Sequence, residues 1–410
     1  MKDKIRLGMI GFGGRGCGIL RDILVPRDTV EVVAVCDVYE DRAEKACKIV
    51  TDANRPAPAI YLNYKDVIAD KNVDTVIITT SWENHINIAC ECMEAGKPVG
   101  VEVGGAFSID DCWKLVRTYE RTGTKCMILE NCCYGRYELL TTNLVSKGLF
   151  GEIVHCSGGY CHDLRYEISF GRENRHYRLR NYLSRNCENY PTHELGPIAK
   201  LLGINNGNRM VSLTSTSSKS AGLHDYIARK EDADKSLLER TFNQGDIVTT
   251  VIKCANGETI TLTLDTTLPR YYSRGFTVRG TRGMFEEATK SVFLDNSPES
   301  ADHFSWQKHW GNADEYLKEY EHPIWKKYLE EGVVGGHDGI DWLVYGAFID
   351  AIINDYDFPI DVYDMAAWMA VTALSEESIA CGSKPVAIPD FTNGMWIERK
   401  LNINPEYALN

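Results

Sequence analysis

The segment Gly11-Phe12-Gly13-Gly14-Arg15-Gly16 has G-x-G-x-x-G spacing. Glycines so placed let the backbone turn tightly and approach a pyrophosphate, which the N–H groups of a following helix can bind. Asp37 stands 21 residues beyond Gly16. A carboxylate there can accept hydrogen bonds from both ribose hydroxyls and would repel a 2′-phosphate, which favours NAD over NADP. The plain alternative is a glycine turn in an α/β domain that binds nothing. A second pair of interest is Tyr190 and His193, just ahead of a helical stretch at Glu194–Leu202. A spacing of three places them on one face of a helical turn. Histidine moves protons near neutrality, and tyrosine can when its surroundings lower its pKa. A structural histidine in a capping loop is the alternative.

These residues need positioning elements. Ile5–Ile10 reads as a buried strand, and Ile19, Leu20, Ile23 and Leu24 follow the glycines at helical spacing. Val30–Cys36 reads as the strand that ends at Asp37. Strands at Thr75–Thr79, Pro98–Val103 and Lys125–Leu129 alternate with helices at His85–Ala95 and from Ser108, an N-cap, to Gly123. This alternation implies parallel strands with right-handed crossovers. It defines an α/β, Rossmann-type nucleotide-binding domain over residues 1–131.

The pattern then changes. Glu138–Lys147 reads as a helix stopped by Gly148, and Glu152–Tyr160, Arg209–Thr216, Asp246–Cys254, Glu258–Asp265 and Arg274–Arg279 read as strands. Ala255-Asn256-Gly257 is a hairpin signal. Ile340–Ile353 and Val362–Ile379 have helical spacing, whereas 217–240 and 295–332 read as loops. Residues 132–410 are thus expected to form an α+β domain with a largely antiparallel open sheet.

Composition narrows the function classes. The 410 residues carry 45 Lys+Arg against 58 Asp+Glu, a formal charge of −13. An acidic surface repels phosphate polymers, so no nucleic-acid partner is expected. No apolar run reaches the roughly 18 residues of a membrane span, and Met1–Lys4 leads straight into a strand without a signal-peptide core. With 14 scattered cysteines, reduced thiols and a cytoplasmic location are expected.

The cofactor pattern, Gly148-Leu149-Phe150-Gly151-Glu152-Ile153 and Gly280-Thr281-Arg282-Gly283 together resemble the Gfo/Idh/MocA oxidoreductase superfamily. Three longer segments narrow this: Gly159-Tyr160-Cys161-His162-Asp163-Leu164-Arg165, Arg175-His176-Tyr177-Arg178-Leu179-Arg180-Asn181-Tyr182, and Asn186 to Pro197. They resemble glycoside hydrolase family 109, the NAD-dependent α-N-acetylgalactosaminidases, over nearly the whole chain. Ordinary superfamily dehydrogenases carry Glu-Lys-Pro after the fifth strand. This chain has Glu102-Val103-Gly104-Gly105 and lacks that lysine.

The resemblance implies a sugar oxidised at C3 by NAD, so that C2–H becomes acidic. The aglycone then leaves by elimination, water adds, and the hydride returns. This differs from the carboxylate pair of ordinary glycosidases. It implies catalytic roles for Tyr190, His193, Tyr272 (with Tyr271 a register rival) and His337 in Gly335-Gly336-His337-Asp338-Gly339. It further implies cofactor contacts from Trp82, Asn84, His85, Glu102, Val103 and Asn131, beside Gly11, Gly13, Gly14, Arg15, Gly16 and Asp37. Sugar contacts would come from Tyr160 and Arg178 with Tyr190, His193 and Tyr272. The expected partners are a small glycoside and further copies of the chain, as a homodimer or homotetramer.

Other signals carry less. The stretch of Arg165, Arg172, Arg175, His176, Arg178, Arg180 and Arg185 reads as a salt-bridged loop. His155-Cys156 and Cys161-His162 suggest zinc, but strand neighbours point to opposite faces, so no metal is expected. Two other functions compete: an NAD-dependent sugar or inositol dehydrogenase, and a non-catalytic NAD-dependent sugar sensor.

Overall fold

The computed structural model describes residues 4–296 and 304–409. The chain divides into two compact units. One comprises 1–134, 323–366 and 400–409, and the other 135–322, 367–399 and 410.

The first unit is built on six strands: β1 (Ile5–Ile10), β2 (Val30–Cys36), β3 (Ala59–Tyr61), β4 (Thr75–Ile78), β5 (Val99–Val101) and β6 (Cys126–Ile128). Their spatial order is β3-β2-β1-β4-β5-β6, and every pairing is parallel. Strands buried on both faces read as continuous apolar runs. Leu7, Met9, Val76, Ile77, Ile78, Val99 and Val101 accordingly have no exposed surface. The order reverses between β1 and β4. A crevice forms at such a switch point beyond the C-terminal strand ends, which here lead into Gly11, Thr79 and Glu102. Ser108 caps the Ile109–Thr122 helix by accepting the Asp111 N–H, and Gly123 ends it at φ 66°.

The second unit carries β7 (Ile153–Cys161), β8 (Met210–Ser217), β9 (Ile247–Cys254), β10 (Thr259–Asp265), β11 (Thr277–Gly280), β12 (Gly283–Glu286), β13 (Ser291–Leu294) and β14 (Val386–Ala387). Their order is β13-β12-β11-β7-β10-β9-β8-β14. All pairs are antiparallel except β7 with β10, which is parallel. Gly257, at φ 111°, closes the expected β9–β10 hairpin. The alternation in β9 is complete: Val248, Thr250, Ile252 and Cys254 are buried, while Val251 and Lys253 face outward.

Several expectations need correction. The stretch 217–240 holds a helix at Gly222–Arg229, and 295–332 holds helices at Ala313–Tyr320 and Pro323–Glu331. Residues 297–303 of the latter stretch lie outside the described residues, as do Met1–Asp3. These helices are only eight or nine residues long, so the helical spacing of their apolar residues, such as Leu223, Tyr226 and Ile227, covers barely two turns and is easily overlooked. The strand expected at Arg274–Arg279 begins only at Thr277. The Glu287 carboxylate takes the N–H groups of Arg274 and Phe276, so this stretch touches β7 only irregularly, through Ser273 with Cys161 and the Arg274 carbonyl with Gly159 N–H. The helix expected from Glu194 starts at Thr192, so Tyr190 precedes it.

Among the described residues no helix is long and apolar enough to cross a membrane. The fourteen cysteines are free, and all but Cys47 and Cys381 are buried.

Candidate active site

The glycine turn follows β1. Gly11 sits at φ 101°, and a Cβ there would lie 2.7 Å from the Thr79 carbonyl, so only glycine fits. A Cβ on Gly16 would lie 2.3 Å from the Gly11 oxygen, which fixes close helix-to-strand packing. At Gly13 and Gly14 a Cβ would meet nothing within 4 Å, leaving backbone open to a ligand. The helical run beginning at Gly14 continues without interruption to Leu24. Asp37 is buried, and its carboxylate accepts the N–H of Phe12 at 2.7 Å and of Tyr39 at 2.9 Å. A carboxylate has about four acceptor positions, so two bonds leave capacity for ribose hydroxyls. The glycine cradle and this acid fit a dinucleotide.

Beside the turn lies an ionic network within the same unit. Arg15 donates to Glu102 at 3.1 Å and to both Asp341 oxygens at 2.7 and 2.8 Å. Tyr345 donates to Glu102 at 2.9 Å, Asn131 donates to Asp341 at 2.8 Å, and His337 Nδ1 lies 2.7 Å from Asp341. Burial pushes the Asp341 carboxyl up, but the bonds from Arg15 and His337 outweigh it and hold the group well below the usual carboxylate range. His337 and Asp338 both have positive φ, 52° and 54°. The fold therefore sets His337 in this network on the first unit.

The remaining residues expected near the cofactor have varied settings. Trp82 is buried at the start of the Trp82–Glu94 helix and packs against Gly104, where a Cβ would lie 2.4 Å from its ring. Asn84 is exposed and donates to the Ser81 hydroxyl at 2.8 Å. Val103 is buried. His85 is turned into the core with its Nε2 3.0 Å from the Thr80 carbonyl, and burial lowers its pKa to about 4. This neutral ring holds the loop after β4.

In the second unit, rings gather around the end of β7. Tyr190 lies 4.2 Å from Tyr160 and 4.8 Å from His193, centroid to centroid. Tyr160 is 5.4 Å from His193 and 6.5 Å from Tyr272. Tyr190 and His193 meet at the entry to the Thr192–Leu201 helix, through Pro191, and not along one helical face. The two candidate tyrosines of the 269–274 loop have different settings. Tyr272 joins the rings, whereas Tyr271 is 82% exposed and stands beside Arg270. Arg178 is buried, stands 5.4 Å over the Tyr190 ring and donates to Glu167.

Sequence reasoning missed two sets of residues. One is His162, whose Nδ1 is 2.8 Å from the Tyr160 hydroxyl and whose ring is 5.3 Å from Tyr272. The other lies beneath the rings. Arg274 reaches Glu138 at 2.5 Å, Glu194 at 3.2 Å and Glu287 at 3.9 Å. It thereby ties the loop that carries Tyr272 to the helix that carries His193. Burial raises the Glu138 pKa more than Arg274 lowers it. Of the other signals, His155 turns to Thr259 while Cys156 is buried. Arg165, Arg172 and Arg185 pair with Asp163, Asp234 and Glu376.

The parallel sheet with its glycine cradle and the mostly antiparallel second sheet define a nucleotide-binding, oxidoreductase-like architecture. Residues 5–130 match the model of the oxidoreductase family with an NAD-binding Rossmann fold. The chain is similar in fold to an NAD-binding oxidoreductase from Klebsiella pneumoniae, with TM-score 0.69, 16% identity and coverage of 95% of this chain and 100% of that one. It is likewise similar to a levoglucosan dehydrogenase in complex with NADH and levoglucosan, with TM-score 0.68, 17% identity and coverage of 94% and 100%. At such identities the likeness concerns fold alone.

Residues 134–398 match the model of the glycosyl hydrolase 109 C-terminal domain. A glycosyl hydrolase family 109 protein of Stenotrophomonas maltophilia is 40% identical, covering 97% of this chain and 91% of the relative. An enzyme of Tannerella forsythia named alpha-N-acetylgalactosaminidase is 39% identical, covering 99% and 89%. The chain belongs to glycosyl hydrolase family 109.

Proposed function

We propose that this glycoside hydrolase cleaves small α-N-acetylgalactosaminides in the cytoplasm, as a homodimer or homotetramer, with NAD as a recycled cofactor. The carrying observation is the ring cluster of Tyr160, Tyr190, His193 and Tyr272 in the family 109 region. Phenols and imidazoles suit repeated proton transfers at carbon and hydroxyl. Of the nearby acids, Glu167 pairs with Arg178 and Glu194 with Arg274, while Glu188 is buried. A displacement mechanism would instead require two carboxyl groups flanking the scissile bond. The 39% identity to the Tannerella enzyme supports the substrate class.

Bound NAD supplies a reversible hydride acceptor for C3 of the sugar. Gly11, Gly13, Gly14 and Gly16 would hold its pyrophosphate and Asp37 its ribose, which favours NAD over NADP. Arg15, Glu102, Asn131 and His337 form a rigid ionic wall in that unit, with Trp82, Asn84, His85 and Val103 shaping its loops. In the other unit, Tyr190, His193 and Tyr272 take and return protons as C2–H is lost, the aglycone leaves C1 and water adds. Arg178 and Tyr160 orient the sugar.

The test is aryl release from an aryl α-N-acetylgalactosaminide with and without NAD⁺, while NADH is followed by absorbance. Release that requires NAD⁺ without net NADH is expected. Stoichiometric NADH would replace this reading with a dehydrogenase, and neither release nor NADH across a glycoside panel would leave a sensor.

A further inference from the structure

Tyr160 is the penultimate residue of β7, and His162 follows the strand's last residue. His162 N donates to the Asp265 carbonyl at 2.9 Å, continuing the β7–β10 pairing past the strand end. Residues i and i+2 of extended chain share a face. This backbone therefore brings the Tyr160 hydroxyl within 2.8 Å of His162 Nδ1, with the rings nearly perpendicular at 84°.

We propose that His162 is the proton acceptor behind Tyr160, so that the two form a relay serving the sugar's C3 hydroxyl. The inference rests on the NAD-dependent reading above. As the C3 hydroxyl loses its proton to the Tyr160 oxygen, the phenol's own O–H bond breaks and an N–H bond forms at His162 Nδ1. The electron pair freed on the sugar oxygen becomes the second bond of the ketone, while the C3–H pair leaves as hydride to the cofactor. The reverse sequence returns the proton when C3 is reduced. A hydroxyl proton suits such a relay, because both of its hops run between heavy atoms along hydrogen bonds.

The surroundings favour a neutral acceptor. Burial lowers the His162 pKa below 6.5, Arg178 and His193 lower it further, and Glu167 and Asp163 oppose them. A neutral ring with its proton on Nε2 leaves the Nδ1 lone pair facing the phenol. His162 acts through Tyr160 and is a positioning and relay residue.

The test compares His162→Asn with His162→Ala in the NAD-loaded enzyme. Asparagine retains an acceptor near Nδ1 but takes no proton. Both variants are expected to lose about 10²-fold in kcat with little change in KM. The limb of the kcat profile in which activity falls below pH 6.5 should vanish in both. Near-wild-type kcat with an unchanged limb in His162→Asn would overturn the relay and leave a merely structural hydrogen bond. Nitrogen NMR of histidine-labelled protein without cofactor is independent of turnover and of the variants' folding. It should show His162 protonated on Nε2, with an Nδ1 signal that moves in Tyr160→Phe. A proton on Nδ1 would also overturn the proposal. Wild-type release without NAD⁺, or with accumulating NADH, would sink the functional reading instead.

Discussion

The two units contain ion pairs alike but differ in the side chains they bring together at their sites. In the first, Arg15, Glu102, Asp341 and Asn131 form a network of full charges and amides with two-pronged bonds. In the second, Tyr160, His162, Tyr190, His193 and Tyr272 meet as rings, with neighbouring centroids 4.2 to 6.5 Å apart. Charge-assisted bonds fix geometry and keep their protons. Most of these ring pairs stand edge to face, with Tyr160 and Tyr190 tilted at 35°, a packing that aromatic side chains favour. The difference teaches a division of labour: one unit supplies an ion-paired frame beside the glycine turn, and the other gathers phenol and imidazole side chains.

Breaking the ring side should have the largest effect. His193→Ala is expected to lower kcat by about 10³-fold or more while dinucleotide affinity, measured by fluorescence titration, stays unchanged. Near-wild-type turnover would remove His193 from the mechanism. Next comes the frame. Asp341→Asn removes a charge that meets Arg15 through both oxygens. It should cost about 2–3 kcal/mol in denaturant unfolding, somewhat less than a fully buried pair because Arg15 is partly exposed. An unchanged midpoint would show that the network is ornamental.

Glu188 sharpens the contrast, because it is an acid placed on the ring side. Burial pushes its carboxyl from 4.5 up to about 8, a rise only partly offset by the Tyr190 backbone. The folded state therefore keeps a proton that the unfolded chain gives up, and stability drains as pH rises from about 4.5 through 8. Glu188→Gln should match wild type near pH 4 and exceed it by on the order of 2 kcal/mol at pH 7. Parallel pH–stability curves for the two proteins would contradict this. The smallest expected effect is at Asp37. Asp37→Asn keeps an acceptor for the Phe12 N–H while removing the charge that repels a 2′-phosphate. The preference for NAD over NADP should drop about tenfold, and an unaltered preference would show that the ribose assignment is wrong.

Much of the frame was legible in the sequence. Glycine spacing, the acid ending β2 and the β–α alternation are local signals, and each corresponds to a nearby backbone feature. Asp341 and Tyr345 were not legible, because their partners Arg15 and Glu102 lie more than 240 residues away. On the ring side, Tyr190 and His193 are marked by type and spacing as well as by family resemblance, whereas Tyr272 rests on the resemblance alone. His162 was within reach of period-two reasoning. The adjacent Cys161-His162 pair suggests zinc, whereas the i, i+2 partner of His162 on the same face is Tyr160. The Arg274 cluster joins residues from four separate segments, which no spacing rule connects.

The central claim is that the glycosidic bond breaks by elimination after oxidation at C3. Its most direct test is cleavage of an aryl α-N-acetylgalactosaminide in heavy water with NAD⁺, followed by NMR of the released sugar. Deuterium at C2 of the product is expected, because C2–H must be lost and regained. Release of the aryl group with protium fully retained at C2 would contradict the account and indicate direct displacement.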